Sequence, residues 1–138
     1  MREIYVLDAC ALIALIKYEN GALAVAELCK EAEENNADLL INIINLLEVY
    51  YGFRRERGEQ YAESILEKVM DSIVKISEVN MTILKEAGRI KSEYNRISLA
   101  DSIALAEALT RGGYLVTADH HEMDIIDKAE VVRFLWIR

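Results

Sequence analysis

The sequence predicts a three-layer α/β domain with a parallel sheet, and three observations carry that prediction. Short runs rich in Ile, Leu and Val alternate with longer helical segments along the whole chain. Such alternation builds parallel βαβ units whose helices cover both faces of one sheet. The 138 residues contain no proline, and the six glycines fall singly or as one pair, so no linker interrupts the pattern. That length supports one proper core, and residues 1–138 are expected to form a single domain.

The elements follow in order. Residues 4–7 read as a buried strand, and residues 9–17, rich in alanine and leucine, as a helix. An amphipathic helix is expected over 22–34 and a second strand over 39–43. Residues 44–57 are helical up to Gly58, and residues 59–70 carry Ile65, Leu66 and Val69 at helical spacing. A short third strand is expected over 73–76, and helices over 80–94 and 99–110, the second stopped by Gly112-Gly113. Strands over 114–117 and 131–136 complete a sheet of five.

Composition narrows the class further. Hydrophobic residues make up 53% and charged residues 29% of a chain with a net charge of −8. That charge argues against broad electrostatic attraction to nucleic acid, although carboxylates gathered in a cation site would account for part of it. Cys10 and Cys29 form neither a disulfide framework nor a Cys-x-x-Cys pair, which makes a reducing cytoplasm the expected compartment. Asp8 interrupts the apolar N-terminal run, so no signal peptide is expected, and no run has the length to cross a membrane.

The chemistry is expected where parallel sheets put it, in the crevice beyond the carboxyl ends of the strands. Asp8 ends the first strand and Asp119 lies just past the fourth. Glu48 falls in the early turns of a helix entered from the second strand. Asp101 stands near the start of a helix that runs antiparallel to the strand it feeds. All four carboxylates therefore belong to one rim.

Each has an ordinary explanation as a helix cap or turn residue, with Ser98–Asp101 and Asn45–Glu48 spaced as capping boxes. Their joint convergence favours a cation. Two unit charges about 4 Å apart repel by roughly 4 kcal/mol at an effective dielectric near 20. Hard oxygen donors without accompanying cysteine point to Mg²⁺ or Mn²⁺.

The stretches VLDACALIAL, INLLEVYYG, ISLADSIALAEAL and YLVTADHHE, which hold these carboxylates in this order, resemble the PIN-domain nucleases, and among them the VapC-type toxins of toxin–antitoxin pairs. The resemblance spans essentially the whole chain. It implies a Rossmann-like five-stranded parallel sheet flanked by helices, and an Mg²⁺- or Mn²⁺-dependent endoribonuclease of a type II toxin–antitoxin system. Asp8, Glu48, Asp101 and Asp119 are then the acidic cluster that binds metal and does the catalysis, with Thr117 steadying the last loop. Metal-activated water would hydrolyse RNA and leave 5′-phosphate and 3′-hydroxyl ends. A homodimer and a cognate antitoxin are the implied partners. The chain departs from the family pattern at Ala9 and Cys10, where threonine or serine commonly follows the first aspartate, and at His121, where a further aspartate is common.

Other signals carry less. His120 and His121 are adjacent, cannot share a helical face as a zinc pair would, and are expected in a solvated or substrate-contacting loop. Asp124 reads as a surface carboxylate, Arg54, Arg55 and Arg57 as a solvated helix end, and Tyr50, Tyr51 and Phe53 as core or dimer packing. A phosphatase of the haloacid-dehalogenase type needs an aspartate where Cys10 stands, a dinucleotide fold needs glycines that DACALIAL lacks, and a receiver domain needs an acidic pair ending its first strand. The alternative of a different class is a PIN-fold RNA- or protein-binding module with little or no catalytic activity.

Overall fold

A computed structural model describes residues 2–129 and 132–138. The chain runs β1 (Glu3–Leu7), α1 (Ala9–Lys17), α2 (Ala22–Glu33), β2 (Ala37–Asn42), α3 (Ile43–Arg57), α4 (Glu59–Met70), β3 (Lys75–Ser77), α5 (Met81–Glu93), α6 (Leu99–Arg111), β4 (Tyr114–Thr117), α7 (His120–Lys128) and β5 (Arg133–Trp136). All five strands are parallel, in the order β3-β2-β1-β4-β5. β1 lies at the centre, with Leu7 opposite Ile41 of β2 and Val116 of β4.

Two apolar layers hold the helices to this sheet. On one face Leu7, Leu39, Ile41 and Val116 pack against Leu12, Val25, Val49, Phe53 and Ile65 from the first four helices. On the other Val6, Leu40 and Leu115 meet Ile83, Ile90, Leu105, Met123 and Ile126 from the last three. Successive strand residues point to opposite faces, so β1 feeds both layers, Val6 to one and Leu7 to the other.

Turn chemistry decides where α6 stops. Gly112 closes α6 in the left-handed conformation (φ 65°), a cap that glycine adopts without a Cβ penalty. At Gly113 a Cβ would meet the Ile4 carbonyl oxygen at 2.6 Å, so only glycine lets β4 start flush against β1.

The structure corrects several expectations. β3 begins at Lys75 rather than residue 73, β5 begins at Arg133 within the described residues, and residue 131 lies outside them. The expected cap over Asn45–Glu48 is displaced. Asn42 caps α3, its side chain accepting from the Ile44 amide at 3.0 Å, and Asn45 lies within the helix. His120 and His121 open a helix instead of a loop, because Met123 and Ile126, three residues apart, bury one face of it. Among the described residues no single helix is long and apolar enough to cross a membrane.

Leu105 is fully buried at the centre of the second layer. Leu105→Ala is expected to cost about 2–5 kcal/mol in a urea denaturation series, the range for a buried leucine that leaves a cavity.

Candidate functional site

Parallel strands put every strand's carboxyl end on one rim, and Asp8 sits at its centre. The Asp8 amide still donates to the Val116 carbonyl (3.2 Å), continuing the pairing of β1 with β4. Its carboxylate then turns inward. Oδ1 accepts the Ala11 amide at 2.8 Å as the cap of α1, and Oδ2 accepts the hydroxyl of Thr117. Thr117 in turn accepts the Asp119 amide at 3.0 Å. One hydroxyl thus orients Asp8 and fixes the turn that presents Asp119, a firmer role than the loop support expected of Thr117.

Glu48 rises from the second turn of α3 and Asp101 from the first turn of α6, whose amide donates to Ser98 Oγ at 3.1 Å. Asn45, which sequence reasoning noted only as a cap, ties these two helices together. It is fully buried, and its Nδ2 donates to the Ala100 carbonyl at 3.2 Å, so the turns bearing Glu48 and Asp101 are fastened to each other. Among the described residues its Oδ1 is a buried side-chain oxygen without a partner. Such an acceptor calls for a water or a ligand donor. The sequence signal for it was an asparagine inside an otherwise apolar helical turn.

Only Asp8 of the four carboxylates is deeply buried, at 2% exposure; Glu48, Asp101 and Asp119 are half-buried. They line an accessible rim. Burial pushes the Asp8 carboxyl up to about 6, and the Asp119 and Glu48 carboxylates add to the rise against the pull of its Thr117 and Ala11 hydrogen bonds. Glu48 and Asp119 therefore lie within electrostatic reach of Asp8, and the α3–α6 fastening holds the turn that carries Asp101.

The donor set is carboxylate oxygen, which suits a hard cation. Among the described residues no three His, Cys, Asp or Glu side chains converge closely enough to hold an ion unaided. The rim fits an ion that keeps much of its water shell and is gripped through one or two carboxylates, as Mg²⁺ characteristically is. It does not resemble a closed tetrahedral cage.

The remaining polar groups sort clearly. His120 stacks on Trp136 (4.0 Å between centroids), and its ring nitrogens face the Arg138 carbonyl and Asp124. The Arg138 carbonyl first, then Asp124, holds the His120 pKa above the ordinary imidazole value. Asp124 is an exposed carboxylate, as expected. Cys10 is half-buried, and burial with the neighbouring Asp8 charge pushes its thiol up, which makes it a poor nucleophile. Phe53 joins the core, Tyr50 donates to Glu63 at 2.8 Å, and Tyr51 stays partly exposed under Arg55. Arg54, Arg55 and Arg57 are exposed, and Arg57 lies about 14 Å along α3 from Glu48 at 1.5 Å per residue, at the end away from the rim.

A parallel five-stranded α/β domain with a carboxylate rim is the architecture of a family of nucleases. The model for the PIN domain matches residues 5–129, and the chain belongs to that family. No curated protein matches it by sequence alone. Solved structures share its fold. A DNA-bound VapBC from Salmonella typhimurium aligns with a TM-score of 0.74 and 15% identity over 100% of both chains. VapBC2 from Rickettsia felis, bound to a promoter DNA fragment, aligns with a TM-score of 0.75 and 20% identity over 96% of this chain and 97% of that one. VapC20 from Mycobacterium tuberculosis, a toxin that cleaves the sarcin–ricin loop, aligns with a TM-score of 0.63 and 14% identity over 88% of this chain and 94% of that one.

The raised Asp8 pKa makes a prediction about stability. The folded chain takes up a proton at Asp8 near pH 6, the unfolded chain near 3.8, so the stability associated with the protonated group is present below about 4 and lost as pH rises through 6. In EDTA, unfolding free energy should fall by up to about 3 kcal/mol from this group between pH 4 and 8, at 1.36 kcal/mol per unit. Asp8→Asn should flatten that decline in denaturation curves; an equally steep decline in the variant would show that another group causes it.

Proposed function

We propose that this protein is an Mg²⁺- or Mn²⁺-dependent endoribonuclease acting as the toxin of a toxin–antitoxin pair. The observation that carries the reading is Asp8, a buried carboxylate held by two hydrogen bonds while two further carboxylates face it. An isolated buried charge in that position is costly, and a hard cation relieves the cost. Membership of the PIN family and a fold shared with toxin–antitoxin structures supply the class of chemistry.

In this reading Asp8, Glu48, Asp101 and Asp119 form the metal site, one or two of them ligating the ion directly and the others holding its water shell. When bound, such an ion supplies an activated water at neutral pH and offsets charge on the phosphoryl oxygens. The chain's own contribution is position. Thr117 and the Ala11 amide fix Asp8 in one orientation, the same threonine sets the turn that presents Asp119, and Asn45 holds the α6 turn that carries Asp101. With water as the nucleophile, the products carry 5′-phosphate and 3′-hydroxyl ends. An RNA substrate, a cognate antitoxin, a homodimer and a cytoplasmic location belong to the same proposal.

The test is cleavage of total RNA by the pure protein. Mn²⁺ or Mg²⁺ should support cutting and excess EDTA should abolish it. Asp101→Asn and Asp119→Asn should each lose at least the roughly 10–100-fold typical of disturbing a metal ligand's surroundings, with unchanged circular dichroism. Undiminished cutting in EDTA would overturn the metal mechanism. A native protein that binds RNA without cutting it in either metal would leave the binding-module alternative.

A further inference from the structure

Beside the carboxylate rim lies a groove of about 390 Å³ that the proposed chemistry does not use. Tyr94, Asn95, Arg96 and Ile97 line one wall, His121 and Ile125 the other. Both walls are continuous with the rim. The first wall leads through Ser98, the cap of α6, to Asp101. The second begins two residues after Asp119, a span that a fully extended chain covers in about 7 Å. His120 is turned toward Trp136 and the Arg138 carbonyl, and the next residue of the helix, His121, lines the groove.

The first wall is braced. Lys91 Nζ donates to the Asn95 carbonyl at 2.8 Å and to the Ile97 carbonyl at 2.6 Å, and the Ile97 amide donates to the Tyr94 carbonyl at 3.1 Å. A cation donating to two backbone carbonyls fixes the backbone path of the segment that carries Arg96. Many of the chain's other cations are already occupied. Arg89 pairs with Glu86 and Glu93, Arg111 with Glu107, Arg133 with Glu3 and Arg138 with Glu19. Glu93, the acidic residue at the groove's edge, is thereby neutralised. Arg96 is exposed and makes no ion pair among the described residues. On a chain with net charge −8, an unpaired guanidinium next to an acidic rim suits a polyanion that must approach it.

We propose that this groove is an RNA subsite adjoining the cleavage centre. Arg96 takes a phosphate flanking the bond that is cut, and the base of the same nucleotide lies against Tyr94 and the exposed apolar side chain of Ile125. Phosphate contacts of this kind set register, and an aromatic face accepts any base, so the subsite positions the strand more than it reads sequence. The inference rests on the nuclease reading and deepens it.

Binding and cutting are measured separately. Affinity is read by fluorescence anisotropy of a short 5′-fluorescein-labelled single-stranded RNA, with Ca²⁺ replacing Mg²⁺ and the probe checked intact. Arg96→Ala should weaken binding about tenfold and make the slope of log K against log salt shallower by about 0.7, the share of one phosphate contact on a single strand. Arg96→Lys should restore the slope. Tyr94→Leu should weaken binding about fivefold or more while leaving the salt slope unchanged. In Mn²⁺ Arg96→Ala and Tyr94→Leu should raise KM with kcat within about twofold of native, as loss of uniform binding does. If the native protein cuts RNA but Arg96→Ala matches it in affinity and salt slope, the subsite is wrong and the nuclease stands. If the native protein binds with the Arg96-dependent slope but cuts nothing, the subsite stands and the nuclease reading fails. A native protein that binds no RNA overturns both.

Discussion

The hydrogen bond from Thr117 to Asp8 joins residues 109 apart in the sequence, and the arrangement of the rim follows from it. It is possible because β1 and β4 are neighbours at the centre of the sheet, with Leu7 opposite Val116. The same hydroxyl receives the Asp119 amide, so the ends of two strands and the turn after the second are locked through a single oxygen. Ionised Asp8 is disfavoured in its buried position, and the two hydrogen bonds only partly offset that cost. Keeping such a group in a well-packed core lowers the fold's stability wherever the group is ionised, the trade usual at functional sites.

A second buried polar cluster steadies the helix that carries Asp101. Glu107 of α6 is fully buried, pairs with Arg111 at 2.8 Å, and accepts hydrogen bonds from Ser77 and, at 3.2 Å, from Asn42. Ser77 and Asn42 are the last residues of β3 and β2, so α6 is pinned to the carboxyl ends of the strands on the far side of β1. With Asn45 bonded to Ala100, α6 is held at its first and third turns. Interactions of this kind are satisfied as a set, and a missing member leaves buried polar groups unpaired. The surface ion pairs, such as Lys17–Glu56, contribute far less, because solvent screens them.

Charge is distributed unevenly, and its placement matters more than its sum. The densest basic run, Arg54 to Arg57, ends α3 away from the rim, with Arg55 and Arg57 lying over Tyr51 and Tyr61. The arginine that lines the groove, Arg96, sits in a braced segment that no basic cluster marks in the sequence. Net charge alone would have pointed away from nucleic acid, whereas an acidic centre with an exposed arginine lining the groove beside it is compatible with a phosphodiester substrate and a divalent ion.

What the sequence determined by itself was the alternation of strands and helices, the parallel sheet and the strand-end rim on which the acidic residues lie. Those features depend on local periodicity and on a topological rule, and both can be read from apolar spacing and the positions of Asp8, Glu48, Asp101 and Asp119. The helix at His120–Lys128 was not legible, because its polar opening looks like a loop until Met123 and Ile126 find the second layer. Asn45 looked like a cap for the same reason, since only the packing of α3 on α6 gives its side chain the Ala100 carbonyl. The tertiary structure also decided which carboxylate is buried. Burial depends on neighbours from distant segments, and four aspartates and glutamates that look alike along a chain become one desolvated acid and three accessible ones only when β1, β4, α3 and α6 are brought together.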